Sequence, residues 1–275
     1  MSDVTCSRGG RRTLWSWFWV VVFLLYAPIG VLVVFSFNDN AVPALPLTDA
    51  TTRWYVDAFS NGPLLDSIWA SVITAMWTAV ISVAIGLSAV LGLQRWGGSR
   101  GKGALATLFM SPLVMPYVVL GVSLLMLLRL LGVERSLATV ILGHVVLTLP
   151  FVVLILQPRL AQIPAALHEA SRDLGASEFI TFWKVTAPLM APATFSALLV
   201  AFTVSFDEYA VASFVVGERP TFPVYLFSQL RFPQQLPEVM AVAVAALVAS
   251  LVILVVAETG RRIAENRISP ELSEK

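Results

Sequence analysis

Six long stretches of this chain are almost free of charge: residues 14–37, 68–93, 104–128, 136–156, 189–216 and 239–257. A run of about 20 apolar residues crosses roughly 30 Å of hydrocarbon, and each stretch has about that length or more. Long runs of this kind span lipid as helices, because only a helix satisfies its own backbone hydrogen bonds there. The pattern therefore predicts an all-α membrane protein with six transmembrane helices. Residues 1–13 form a leader, 14–262 the six-span body and 263–275 a tail. The first run has the basic start of a signal peptide but is longer and shows no small-residue cleavage site near Phe37, which predicts a retained first span.

Basic residues set the orientation. With the N-terminus in the cytoplasm, 13 of the 18 Lys and Arg residues fall on inside segments, among them Arg8, Arg95, Lys102, Arg172 and Arg261. Arg53, Arg129, Arg135, Arg219 and Arg231 fall outside. The expected topology is N-in and C-in, which puts the polar segment 158–188 in the cytoplasm. The outside segments 38–66 and 217–237 carry several prolines and the pair Trp54-Tyr55, and read as loops or short interfacial helices.

Composition agrees with a membrane protein. Hydrophobic residues make up 57%, charged residues only 13%, against about a quarter charged in soluble domains. A net charge of +1 with scattered basic residues gives no footprint for nucleic acid. The single cysteine, Cys6, cannot form an internal disulfide, and two histidines and one cysteine lack metal-ligand spacing. Gly101-Lys102 is followed by Gly103, not Ser or Thr, so there is no phosphate-binding loop and no ATP hydrolysis by this chain alone. No catalytic residue and no cofactor is expected.

Segment 158–188 carries the most specific signal. Pro164 suits a helix start, and Ala165 to Ala170 are good helix formers. Gly175 stands where a left-handed cap ends the helix, Ser177 can cap the next one, and Pro188 marks the turn into the fifth span. Glu169-Ala170-Ser171-Arg172-Asp173-Leu174-Gly175, with Val185-Thr186-Ala187-Pro188 beyond, resembles the E-A-A-x3-G-x9-I-x-L-P loop of ABC importer permeases. Ser171, Val185 and Ala187 depart from that pattern. The resemblance implies the type I importer permease fold and a cytoplasmic helix that docks on a separate ATPase. Glu169, Ala170, Leu174, Gly175 and Pro188 are then the candidate coupling residues, with Ala170 and Leu174 on one face.

Charge inside a span costs about 2.5–3.5 kcal/mol on insertion scales and marks a pathway or a paired site. Asp207 lies about 28 Å beyond Pro188 at 1.5 Å per residue, in the outer half of the fifth span. Ser196, Thr203 and Asp207 share a helix face. Thr203, Asp207, Glu208 and Tyr209 form the candidate solute path, with Glu208 a quarter-turn away and free to pair with a basic residue. Ser67, Ser71, Thr74, Thr78 and Ser82 stripe the second span and read as packing residues. His144, one turn from Thr148, reads as an interhelical hydrogen-bonding residue.

Further segments are similar to the spermidine/putrescine permease branch, in particular its shorter subunit. These are Phe35 to Asp39, Trp54-Tyr55, Asp173 to Ser177, Ser205-Phe206-Asp207-Glu208-Tyr209, and Pro223-Val224-Tyr225 with Arg231. The resemblance implies uptake of a small organic solute, a polyamine first, across the bacterial inner membrane. The implied partners are an ABC ATPase dimer, a second homologous permease, a periplasmic solute-binding protein and membrane lipid. Permeases for opines, aminophosphonates or amino-acid derivatives share much of the pattern. A proton-coupled carrier using Asp207, Glu208 and His144, or an intramembrane enzyme using the two carboxylates, remains a rival of another class.

Overall fold

A computed structural model describes residues 8–40, 42, 44–47, 49–95, 99–248 and 251–252. Among these residues the structure is helical apart from turns and one isolated antiparallel bridge, Asn38 to Ala50. The chain forms two compact units, one of residues up to Gly62 with those from Ser228 onward, the other Pro63–Phe227. Cys6, most of the expected leader and the tail 263–275 lie outside the described residues.

In the first unit, helix α1 (Arg8–Ser36) carries an apolar stretch from Leu14 to Ser36 in which no residue before Ser36 is buried. Such a surface suits lipid or another apolar helix. The short helix α2 (Arg53–Ser60) then folds back on the end of α1. Trp54 Nε1 donates to the Asn38 carbonyl at 2.9 Å, and Tyr55 and Ser36 hydroxyls meet at 2.8 Å. The Phe37 and Tyr55 rings lie 5.1 Å apart, and Arg53 pairs with Asp39 at 3.3 Å. Trp54 is therefore a buried pin of this fold. Segments 35–39 and 54–55, which resemble the same branch separately, are packed together.

The second unit is built around α6 (Leu137–Ala161), whose apolar residues lie on every face, the pattern of a helix surrounded by others. On one side Val152, Val153, Leu156 and Leu160 pack with Ala79 and Val83 of α3 (Gly62–Arg95) and with Ala197 and Ala201 of α9 (Ala187–Phe206). On the other side Val140 and Leu147 pack with Leu128 of α5 (Tyr117–Leu130) and with Val211, Ala212 and Val215. The stripe Ser67, Ser71, Thr74, Thr78 and Ser82 is buried, as expected of packing residues. Ser71 Oγ accepts from the Phe222 N–H at 2.8 Å, and Ser82 bonds Thr148 at 2.7 Å.

Four described helices are long and apolar enough to cross a membrane, five if one bent pair counts as a span. That pair corrects the third expected run: Thr107–Val114 of α4 (Ser99–Val114) and α5 meet at 109°. The break falls at Pro116, whose fixed φ of −58° and missing N–H end one helix and start the next. The fourth run extends past Pro158 to Ala161. The fifth does not reach 216: α9 stops at Phe206, and a separate turn, α10 (Ala212–Val215), follows. The sixth begins as a helix, Pro233–Val248, and the rest of run 239–257 falls mostly outside the described residues.

Candidate functional site

Two places carry the candidate residues. The first is the hairpin after α6. Pro164 is the N-cap of α7 (Ala165–Asp173), and Gly175 takes the left-handed conformation at φ 77°. The Gly175 N–H donates to the Arg172 carbonyl at 2.8 Å and the Ala176 N–H to the Ser171 carbonyl at 3.1 Å. This bond pair is a Schellman ending, which sets the sharp turn that glycine allows. Ser177 Oγ then caps α8 (Glu178–Thr181) by accepting from the Ile180 N–H.

Pro188 does not mark a turn, contrary to expectation. Helical structure runs without a break from Glu178 to Phe206. A proline at 188 leaves its missing donor in the ladder, and the chain adapts through a π-turn at Phe182–Thr186, where the Ala187 N–H reaches the Phe182 carbonyl. The hairpin is closed by Ser171 with Thr181 at 2.7 Å, His168 with Thr186 at 3.1 Å and Arg172 with Glu178 at 3.4 Å. No residue of α7 is buried, and Glu169, Ala170 and Gly175 are exposed. Leu174 is 88% exposed and Phe179 73%. An exposed leucine and an exposed phenylalanine on either side of a capped turn are apolar surface of the kind a partner's groove buries.

The second place is the end of α9. Ser196, Thr203 and Asp207 are exposed along one face, as their spacing predicts. Ser196 and Thr203 hydroxyls donate to the carbonyls of Pro192 and Leu199, so the two side chains lie against their own helix. Asp207 is the C-cap, its N–H reaching the Thr203 carbonyl at 3.2 Å. Tyr209 stacks on Phe227 with ring centroids 4.3 Å apart.

Glu208 goes the other way, into the protein. Its carboxylate accepts from the Val211 N–H at 2.9 and 3.1 Å and from the Ala212 N–H at 3.0 Å, and lies 3.1 Å from His144 Nε2. His144 Nδ1 meets Ser205 Oγ at 2.8 Å. The Nε2 contact is a close electrostatic one without hydrogen-bond alignment, and the ring's hydrogen bond is the one to Ser205. Thr148 continues the chain, donating to the His144 carbonyl and bonding Ser82. The basic partner expected for Glu208 is therefore His144, a pairing across 64 positions that helix spacing does not reveal. The available signal was that both are ionisable groups inside apolar runs. Among the described residues no group of three or more His, Cys, Asp or Glu could hold a metal ion.

A helical body with membrane-length spans, a capped polar hairpin with exposed apolar residues, and a carboxylate at the end of α9 suit a membrane transport subunit. The chain belongs to the family of binding-protein-dependent transport system inner membrane components, whose family model matches residues 82–270. It is thus a permease subunit of an ABC importer in the inner membrane, a transport component and not an enzyme. It is 33% identical over 238 residues to the putrescine transport system permease protein PotI of Escherichia coli strain K12, covering 82% of this chain and 84% of that one. It is 32% identical over 252 residues to the spermidine/putrescine transport system permease protein PotC of the same strain, covering 91% and 92%. In structure it is similar to a chain of a bacterial ABC transporter importing the acidic polysaccharide alginate. The TM-score is 0.70 at 18% identity, over 92% of this chain and 98% of that chain, a likeness of fold.

Proposed function

We propose that this chain is the permease subunit of a polyamine importer, moving a putrescine- or spermidine-like cation from periplasm to cytoplasm. The observation that carries the reading is Asp207, an exposed carboxylate where α9 breaks, beside Tyr209 and on the face of Thr203. At the intermediate dielectric of a protein pore, a carboxylate attracts an ammonium by a few kcal/mol, enough to choose sign without trapping the solute. Both relatives above are named for putrescine or spermidine transport. The open Ser196–Thr203–Asp207 face is completed by a second homologous permease, a periplasmic binding protein delivers the solute, and an ATPase pair drives the cycle. Six spans with both ends in the cytoplasm supply the topology this needs.

The hairpin supports the coupling role. Leu174, with Ala170 one turn before it, enters the ATPase groove, while Glu169 and Gly175 hold its rim and turn, and Pro188 keeps the hairpin in line with α9. The test is ATP-driven uptake by the complete complex in proteoliposomes, with putrescine, spermidine, an opine and an aminophosphonate offered at equal concentration. Preferred uptake of the polyamines is the expected result. Preference for an anionic solute overturns the substrate assignment, and uptake without the ATPase overturns the coupling.

A further inference from the structure

We infer that Glu208 and His144 are positioning residues: their buried pair pins the 207–211 break to α6 and so holds Asp207 and Tyr209 at the solute path. This rests on the reading that those two residues border the path. Glu208 is next to Asp207 in sequence, yet its side chain is 3% exposed and that of His144 1% exposed, so neither lies on the open face of Asp207. One carboxylate does two things at once. It starts α10 through the Val211 and Ala212 N–H groups and reaches α6 through His144. Ser205 ties the last turn of α9 to the same ring.

The clamp has a counterpart at the far end of the same helix pair. Arg159 Nε of α6 donates to the Leu189 carbonyl of α9 at 3.0 Å, beside the hairpin. Between the two polar ties, α6 and α9 share the apolar contacts of Val152, Val153, Leu156, Ala197 and Ala201. Two helices joined at both ends and packed between move as one body, so a displacement of the hairpin reaches residue 207 instead of being absorbed on the way. Close packing secures the landing site: a Cβ on Gly143 would stand 2.8 Å from Val211 Cγ1, and one on Gly121 2.6 Å from Phe214 Cδ2.

The test uses the complete complex in proteoliposomes with Cys6→Ser throughout. Val211 is fully buried, so the thiol of Val211→Cys reports the pinning. Adding Glu208→Ala or His144→Ala is expected to speed its maleimide labelling more than about tenfold, and Glu208→Gln to return it to the starting rate, because the amide oxygen, in the place of Oε2, still accepts from the Val211 and Ala212 N–H groups and keeps the contact with His144. With residue 211 native, each alanine variant is expected to lower maximal uptake per assembled complex about tenfold, with half-saturation nearly unchanged. The double variant falls no further than the worse single one, as members of one unit do. Ser205→Ala, which removes one hydroxyl, gives a milder version of both effects should an alanine variant fail to assemble. Additive losses, loss of uptake with residue 211 still protected, or failure of Glu208→Gln to rescue overturns the proposal. Should Asp207→Asn transport cations normally while these results hold, the path reading fails and the clamp stands.

Discussion

Ser171 Oγ stands 2.7 Å from Thr181 Oγ1, and this bond joins the two arms of the hairpin that follows α6. The serine occupies the place of an alanine in the importer motif, so the departure from the pattern does structural work. A buried or half-buried hydroxyl pair contributes about 1 kcal/mol. His168 with Thr186 and Arg172 with Glu178 remain when it is lost. Ser171→Ala is therefore expected to leave complex assembly intact and to lower maximal ATP-driven uptake by less than about fivefold, measured in proteoliposomes.

Leu174 and Gly175 should respond far more strongly. Leu174 is 88% exposed, so Leu174→Asp costs the isolated chain little stability. Burying a leucine in a groove contributes about 1.5–3 kcal/mol, and that gain would be lost together with the solvation of a new charge. Binding of the detergent-solubilised permease to its ATPase is expected to weaken at least tenfold. Gly175→Ala forces a side chain into a left-handed backbone, at about 1–2 kcal/mol, and should weaken it by a similar factor. Unchanged ATPase binding in both variants would remove the hairpin from the interface.

Gly121 tests the packing of the broken span. An added Cβ would meet Phe214 Cδ2 at 2.6 Å and the Val211 Cα at 3.2 Å, the second a backbone atom with little freedom to yield. Overpacking of this kind costs about 1–3 kcal/mol. Gly121→Ala should lower the thermal midpoint of the purified permease by several degrees, whereas Gly62→Ala, which meets nothing within 4 Å, should not.

Topology follows from thiol labelling of intact cells in the Cys6→Ser background. Leu45→Cys and Glu218→Cys are exposed positions on the expected outside and should label, while Ser177→Cys should label only after permeabilisation. Labelling of Ser177→Cys from outside would invert the orientation and detach the hairpin from any cytoplasmic ATPase.

Local signals in the sequence carried a large part of the architecture. The Schellman turn at Gly175, the cap at Ser177, the packing role of the α3 hydroxyl stripe and the interhelical role of His144 each depend on residues within a turn or two, or on residue type alone. What the sequence hid depends on bond geometry or distance in the chain. Proline 116 bends the third run because its ring acts on the residue before it, and runs of hydropathy do not register such a bend. Pro188 has the opposite outcome, since a π-turn precedes it and helical structure runs on without a break. Glu208 starts α10 by taking the N–H groups of Val211 and Ala212, and its partner His144 comes from α6, three helices before α9. The branch-like segments at 35–39 and 54–55 gave no sign of touching, because a bond from Trp54 to the Asn38 carbonyl leaves no trace in spacing.

Asp207 carries the sharpest functional prediction. It is exposed at the C-terminal end of α9, where unsatisfied carbonyls already give a partial negative charge. The carboxylate adds to that field, so the break attracts cations twice over and repels anions. Asp207→Asn keeps the size and the cap position while removing the full charge. Uptake of putrescine by the complete complex should fall at least about tenfold, a loss of a little over 1 kcal/mol of interaction with the solute in transit. The helix-end field remains, so a residual preference for cations over neutral analogues is expected. Assembly with the ATPase should be unaffected, since the hairpin lies at the other end of α9. Asp207→Glu should recover most of the uptake, and unaltered transport by Asp207→Asn would place the cation path elsewhere in the subunit pair.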